Sequence, residues 1–165
     1  DHDEVVVVGH SLSGFTASRA CPGLPVRELV LLNAMIPVPG ETPAEWRVST
    51  GHAQALRDDD LRAGRDPDDH DAMTRFWHDL PPDLLAEALR RDRDESPATY
   101  ATAWDLRAWP DVPTRVLAST EERLFPVEFQ RRVAAERLGL DVELVPGGHM
   151  APLSHPHELV DALLR

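Results

Sequence analysis

The sequence has no lysine, a single cysteine and no apolar run long enough to cross a membrane. The lone Cys21 excludes an internal disulfide framework and is typical of a reducing compartment, so we expect a cytoplasmic protein. All 17 basic residues are arginines, against 29 acidic residues, and the net charge is −12. An acidic chain with no basic patch predicts no nucleic-acid partner, and the missing apolar run predicts no membrane partner. Much arginine, alanine and proline without lysine is typical of proteins from GC-rich bacteria.

Four short apolar runs are the predicted strands, at residues 5–8, 29–33, 114–118 and 141–145. The first run is four valines, which predicts a strand buried on both faces, as in a parallel sheet. A helical pattern separates it from the second run, so the two form a predicted βαβ unit with a right-handed connection. We therefore expect an α/β fold in which a parallel sheet of about four strands is flanked by helices.

Strand-like runs disappear between residues 38 and 112, where the apolar spacing becomes helical. A capping box at 42–45 predicts a helix that continues to about Arg57. Further helices are predicted at 72–79, from Pro82 and within 97–106. The segment 38–112 carries most of the negative charge, which indicates a solvated surface.

The length suits one domain, 1–165, with a sheet core of 1–37 and 113–165 around the helical segment 38–112. Two helices are predicted near the C-terminus. One spans 126–138 and ends at Gly139. The other begins at Pro156 and packs on the sheet through Leu159, Val160, Leu163 and Leu164.

A serine lies between the first strand and its helix, in the segment 9–14 with the sequence GHSLSG. Ser11 has small residues two positions before and two positions after it, Gly9 and Ser13. This spacing favours a nucleophile elbow, a strained strand–turn–helix that raises a serine hydroxyl above the sheet. An ordinary strand–helix turn is the alternative. Ser13 is disfavoured as the nucleophile because Phe15, two positions after it, is too bulky for such a turn.

Two later loops carry an imidazole and carboxylates. His149 follows the last strand after the pair Gly147 and Gly148, and the loop 119–126 after the third strand contains Glu121 and Glu122. The carboxyl ends of parallel strands meet at one edge of a sheet, so these loops are expected to lie near Ser11. Along the chain the serine comes first, the acid second and the histidine third. In this order the three residues can supply a nucleophile, an acid that orients the base, and the base.

Together these segments resemble the α/β-hydrolases. GHSLSG is similar to the family's GHSLGG, the segment 119–126 (STEERLFP) is similar to G-x-x-D-x-x-x-P, and GGH stands intact at 147–149. The resemblance implies catalytic Ser11, His149 and Glu122, with the backbone N–H of Leu12 as an oxyanion donor and 38–112 as a cap over the site. It implies no cofactor and no metal.

The chain departs from the family pattern at several positions. Ser13 and Ser119 replace glycines, and Glu122 replaces an aspartate, so Glu121 and a purely solvated pair of glutamates are alternatives for the acid. By resemblance, His10 packs beneath the turn. His155 and His157 are read as a solvated helix start, since the proline between them keeps their rings from one face. Five cap aromatics are either pocket or packing residues: Trp46, Phe76, Trp77, Trp104 and Trp109.

The elbow comes unusually early in this chain. An α/β-hydrolase places about half its sheet before this strand, so the resemblance implies the C-terminal portion of such a domain. The first strands and a second oxyanion donor would then lie outside it. The open edge of the valine strand would allow self-association.

The resemblance predicts a carboxylic-ester hydrolase whose partner is a small, ester-like, mainly apolar substrate. The segment 29–37 (LVLLNAMIP) followed by a helical cap is similar to small esterases and hydroxynitrile lyases related to plant methylesterases. The alternatives are a lyase or a cofactor-free peroxidase with the same triad, and an inactive truncated remnant.

Overall fold

The sheet is parallel throughout. The structure, a computed structural model, describes residues 4–165, so the first three residues of the predicted domain lie outside the described residues. The strands are β1 (Val5–His10), β2 (Val26–Leu32), β3 (Thr114–Ser119) and β4 (Val142–Val145), in the spatial order β1-β2-β3-β4. Each neighbouring pair is parallel, which confirms the predicted fold class.

Helices cover both faces of this sheet. After β1 comes α1 (Gly14–Ala20), after β3 comes α7 (Val127–Leu138), and after β4 come α8 (Ala151–Ser154) and α9 (Pro156–Leu163). Between β2 and β3 lie α2 (Pro43–Ser49), α3 (His52–Arg62), α4 (Ala72–Arg75), α5 (Pro82–Arg91) and α6 (Pro97–Ala101). Among residues 4–165, no helix is long and apolar enough to span a bilayer.

The interior of the sheet follows the two-residue alternation of β2. Leu29 and Leu31 belong to the cluster that α1 and α7 cover, whereas Val30 and Leu32 belong to the cluster that α9 covers. All four side chains are fully buried. A run of apolar residues with no polar alternation therefore becomes a strand packed on both faces.

β1 differs from the prediction that it is buried on both faces. Val8 is 42% exposed and the three valines before it are only partly buried. Within residues 4–165, β1 pairs with β2 alone, so it lies at an edge of the described sheet. An edge strand has neighbours on one side only, and its side chains are covered less completely.

Three predicted helices differ in detail. The helix predicted at 72–79 is α4, which ends at Arg75. The capping box is present, since Thr42 Oγ1 accepts from the Glu45 N–H at 3.2 Å, but α2 ends at Ser49 instead of continuing to Arg57. Gly51 precedes α3 and has a left-handed φ of 65°, which interrupts the helix between α2 and α3. Val160 in α9 and Leu164 directly after it are 50% and 78% exposed, so they do not pack on the sheet as expected.

Two polar contacts connect the helical layer between β2 and β3 to the rest of the fold. His52 Nε2 lies 2.7 Å from the Leu124 carbonyl oxygen, and Arg132 donates to the Thr50 carbonyl at 2.6 Å. Inside this helical layer, Arg75 donates two bonds of 2.7 Å to the buried carboxylate of Asp60. This pair of charge-assisted bonds connects α3, which carries Asp60, to α4, which carries Arg75.

Candidate active site

Ser11 sits where β1 turns into its helix. Its φ of 55° lies in the left-handed region, which a residue with a side chain seldom adopts. The Ser11 carbonyl accepts from the Met35 N–H at 3.0 Å, so the turn is bonded to the chain that leaves β2. A strained residue that its surroundings hold in place is typical of a functional serine turn.

The small residues around Ser11 are required by close packing. A Cβ at Gly9 would lie 2.8 Å from Ala17 Cβ, and a Cβ at Gly14 would lie 2.0 Å from the Met35 carbonyl oxygen. Ser13 has more room, and its hydroxyl accepts from the His10 N–H and donates to the His10 carbonyl, both at 2.7 Å. The departure from the family motif at Ser13 is therefore accommodated, and Gly14 is the position with the least space.

His149 and Glu122 form a buried pair. His149 Nδ1 lies 2.8 Å from Glu122 Oε2, and both side chains are almost completely buried. The other oxygen, Glu122 Oε1, accepts from the N–H groups of Leu124 at 2.6 Å and Phe125 at 3.2 Å. A carboxylate oxygen accepts hydrogen bonds, so His149 donates through Nδ1 and the other ring nitrogen, Nε2, takes no part in this pair.

Glu121 does not reach His149. It is exposed, and its backbone N–H donates to the Gly147 carbonyl at 2.9 Å. Of the two glutamates in the loop, the structure brings Glu122 to the histidine and leaves Glu121 at the surface.

Ser11 and His149 line one cavity of about 370 Å³, the histidine cavity, together with Leu12, Phe76 and Met150. Within the described chain, 4–165, no hydrogen bond joins the Ser11 hydroxyl to His149. Catalytic hydrogen bonds are often long in a ligand-free site and shorten when substrate binds. The two side chains therefore share one cavity, in which a shorter contact between the serine hydroxyl and the imidazole can form.

A second cavity of about 240 Å³, the aromatic cavity, is also lined by Ser11 and shares Leu12 and Phe76 with the first. Its lining combines apolar side chains, among them Met35, Phe76, Trp77 and Phe125, with the charged side chains of Arg47, Asp92, Arg93 and Glu95. Two of the five aromatic candidates, Phe76 and Trp77, thus line the site. Trp46 and Trp104 are buried in the core, and Trp109 packs against that core.

The sequence profile of the alpha/beta hydrolase family matches residues 1–162. The chain belongs to the alpha/beta hydrolase family. The family assignment based on the serine turn, the acid loop and the histidine turn is confirmed. No curated protein sequence matches this alpha/beta hydrolase.

Solved structures share the fold at low identity. Polyneuridine aldehyde esterase is 20% identical with a TM-score of 0.71, over 98% of this chain and 71% of that chain. A pyrethroid hydrolase from Sphingobium faniae JZ-2 is 20% identical with a TM-score of 0.66, over 99% of this chain and 70% of that one. The methylesterase MES16 from Arabidopsis is 16% identical with a TM-score of 0.72, over 99% and 69%. At these identities the likeness establishes the fold.

His10 lies against the histidine turn of this hydrolase. Its Nε2 is 2.8 Å from the His149 carbonyl oxygen, and the two rings are 4.9 Å apart. Burial is the main cause that lowers the pKa of His10 from 6.5 to about 4, and the neighbouring imidazole of His149 lowers it further. His10 is therefore neutral at pH 7, and its role is to support the turn that carries His149.

Asn33 was not identified from the sequence as part of the site. It is fully buried at φ 44°, its Nδ2 donates to the Ser119 hydroxyl at 2.8 Å, and its Oδ1 accepts from the Ser119 N–H at 2.8 Å. It thereby joins the chain leaving β2 to the loop that carries Glu122. The available signal was an asparagine directly after the apolar run 29–32, where a polar side chain needs a buried partner.

The histidines at the start of α9 are not arranged around an ion. His155 Nδ1 lies 2.9 Å from the Ser154 hydroxyl, and His157 is exposed. In the part of the chain that the structure describes, no group of three or more His, Cys, Asp or Glu side chains is suited to hold a metal.

Proposed function

We propose that this chain is a serine hydrolase that cleaves carboxylic esters with small, mainly apolar acyl groups. The observation that carries the proposal is the buried His149–Glu122 pair, which opens into the same cavity as the strained Ser11. A nucleophile, a base and an acid that orients the base are the three parts that acyl transfer by serine requires.

The mechanism follows from these positions. His149 Nε2 accepts the Ser11 hydroxyl proton as the oxygen attacks the ester carbonyl carbon, and Glu122 stabilises the imidazolium. The carbonyl oxygen becomes negative and accepts from the Leu12 N–H in the turn that leads into α1. When the intermediate collapses, the C–O bond to the alcohol breaks and His149 returns the proton to the leaving alcohol. Water, deprotonated by His149, then attacks the acyl-enzyme and releases the acid and Ser11.

The aromatic cavity supports the choice of substrate. Phe76, Trp77 and Phe125 line it together with Ser11, and an apolar acyl group would pack against these rings. The charged side chains of Arg47, Asp92, Arg93 and Glu95 line the rest of the cavity. A cavity of about 240 Å³ suits a small group. Two of the solved structures of similar fold carry the name esterase or methylesterase, which agrees with ester cleavage.

A fluorophosphonate probe tests the nucleophile directly. We expect the folded protein to be labelled at Ser11 and Ser11→Ala to take no label. Ser13→Ala is the matched control, because Ser13 is a neighbouring exposed serine outside the proposed chemistry, and it should still be labelled. No labelling of the folded wild type would contradict the proposal and favour an inactive protein.

A panel of p-nitrophenyl esters of increasing acyl length, run beside cyanohydrins, tests the reaction class. We expect turnover that is highest for short acyl chains and absent in Ser11→Ala. Cleavage of cyanohydrins without cleavage of esters would replace the hydrolase proposal with a lyase that uses the same side chains.

A further inference from the structure

Asp79 lies in the loop between α4 and α5 and contacts the histidine turn. Its side chain is 6% exposed. The oxygen Oδ2 accepts from the Gly148 N–H at 2.6 Å and from the Ser154 hydroxyl at 2.6 Å. These two donors stand on either side of His149 in the chain, so one carboxylate holds both ends of the segment that carries the proposed base.

The absence of a side chain at Gly148 allows this close contact. A Cβ there would lie 2.7 Å from His78 Nε2 and 2.9 Å from Asp79 Oδ1. Burial alone would raise the pKa of Asp79, but the bonds from Ser154 and Gly148 outweigh it and the pKa lies below its ordinary value. Asp79 is therefore ionised at neutral pH, and charge-assisted bonds to a carboxylate are stronger than neutral ones.

The same loop forms a wall of the substrate space. The Phe76 ring meets the His149 ring edge to face, with centroids 5.1 Å apart, and Trp77 lines the aromatic cavity beside Ser11. Asp79 follows these two aromatics by two or three positions. The loop that shapes the cavity is thus bonded to the turn that carries the base.

We propose that Asp79 is a positioning residue that sets the place of His149 relative to Ser11 by holding the N–H of Gly148 and the hydroxyl of Ser154. This inference rests on the proposed function, since it assigns a role through His149. The sequence alone gave no indication of it, because Asp79 is one of many acids in the segment 38–112 and lies far from His149 in the chain.

The test compares variants that remove the acceptor with variants that keep it. Asp79→Ala removes both bonds. Asp79→Asn is uncharged but keeps an amide oxygen that can accept both. Asp83→Ala, at an exposed acid in the first turn of α5, is the matched control. The rate of Ser11 labelling by a fluorophosphonate is measured per folded molecule, with the folded fraction taken from circular dichroism.

We expect Asp79→Ala to label at least about tenfold more slowly, because small displacements of a catalytic group cost on the order of tenfold to a hundredfold. Asp79→Asn should recover most of the rate, and Asp83→Ala should match the wild type. If Asp79→Ala does not fold, Ser154→Ala removes one of the two donors more gently and should slow labelling in the same direction. A wild-type labelling rate per folded molecule in Asp79→Ala would overturn the proposal. The same result in Ser154→Ala would overturn it where Asp79→Ala does not fold. Labelling of Asp79→Asn as slow as that of Asp79→Ala would also overturn it.

A second measurement does not depend on activity. The Gly148 amide proton, bonded to a carboxylate, should resonate at an unusually low field in the ¹H–¹⁵N spectrum of the wild type. It should move to high field in Asp79→Ala and stay in Asp83→Ala. If wild-type Ser11 takes no label, the proposed function fails by itself, and an unmoved Gly148 amide in Asp79→Ala separately overturns the inference about Asp79.

Discussion

Glu122 shows how a longer acid can occupy the place of an aspartate. Its extra methylene would shift the carboxylate by about 1.5 Å, one carbon–carbon bond. The structure places this carboxylate with one oxygen on the N–H groups of Leu124 and Phe125 and the other on His149 Nδ1. Both oxygens of the Glu122 carboxylate are therefore bonded, one to the backbone of its own loop and the other to His149.

Changing Glu122 to Gln tests the assigned acid with little change of volume. The amide oxygen can still accept from the Leu124 N–H, but the amide nitrogen then faces His149 Nδ1 and favours the wrong tautomer. We expect the labelling rate and ester turnover to fall by roughly 10² to 10⁴, as for other triads whose acid becomes an amide. Glu121→Gln, at the exposed neighbour, is the matched control and should stay near the wild-type rate. Equal losses in both variants, or no loss in Glu122→Gln, would contradict the assignment.

The serine turn depends on how closely α1 approaches the chain leaving β2. Gly14 opens α1, and the space beside it is filled by the Met35 carbonyl oxygen. Since Met35 also donates its N–H to the Ser11 carbonyl, the same backbone segment sets both the position of the helix and the turn of the serine. A change in this spacing would reach Ser11 directly.

Gly14→Ala is expected to destabilise the fold strongly. The added methyl would meet a backbone oxygen that cannot rotate away, so the cost should reach the upper end of overpacking, about 3 kcal/mol or more. The free energy of unfolding from urea titration measures it. Gly23→Ala introduces the same methyl where nothing lies within 4 Å and should change stability by less than about 0.5 kcal/mol. Comparable stability of the two variants would show that the turn is not packed as described.

The complete fold buries several imidazoles in their neutral form. Burial lowers the pKa of His10, of His52 and of His78. The pKa of His10 falls from 6.5 to about 4, so between these values the unfolded chain binds a proton that the folded chain does not. The contribution of His10 to stability is therefore complete above pH 6.5 and declines as the pH falls toward 4.

The contribution of His10 can be measured by unfolding at two pH values. Between pH 7 and pH 5 the loss assigned to His10 is about 2 kcal/mol, since each unit of pKa difference corresponds to about 1.4 kcal/mol. Glutamine in His10→Gln can keep a donor to the His149 carbonyl but does not titrate. From pH 7 to pH 5 the free energy of unfolding of this variant should therefore fall by about 2 kcal/mol less than that of the wild type. His157→Gln, at an exposed histidine, should show the full wild-type loss. An unchanged pH dependence in His10→Gln would contradict the buried neutral state.

Most of the sheet and the family could be predicted from the sequence, because local patterns carry that information. The valine and leucine runs, the small residues around Ser11 and the glycine pair before His149 each depend on neighbours in the chain. The helix boundary at Gly51 was missed because a left-handed residue within a helical pattern carries no periodic signal. The catalytic roles of Ser11, His149 and Glu122 stay predictions, although the structure brings His149 and Glu122 together.

The sequence by itself determined the α/β class, the family and the residues most suited to acyl transfer. Only the tertiary structure decided which of two adjacent glutamates meets His149, that Asn33 joins two loops and that Asp79 reaches Gly148. The physical reason is the distance along the chain: these contacts join segments tens of residues apart, and their energy depends on burial and on hydrogen-bond geometry that exist only once the sheet and the helices above it have packed.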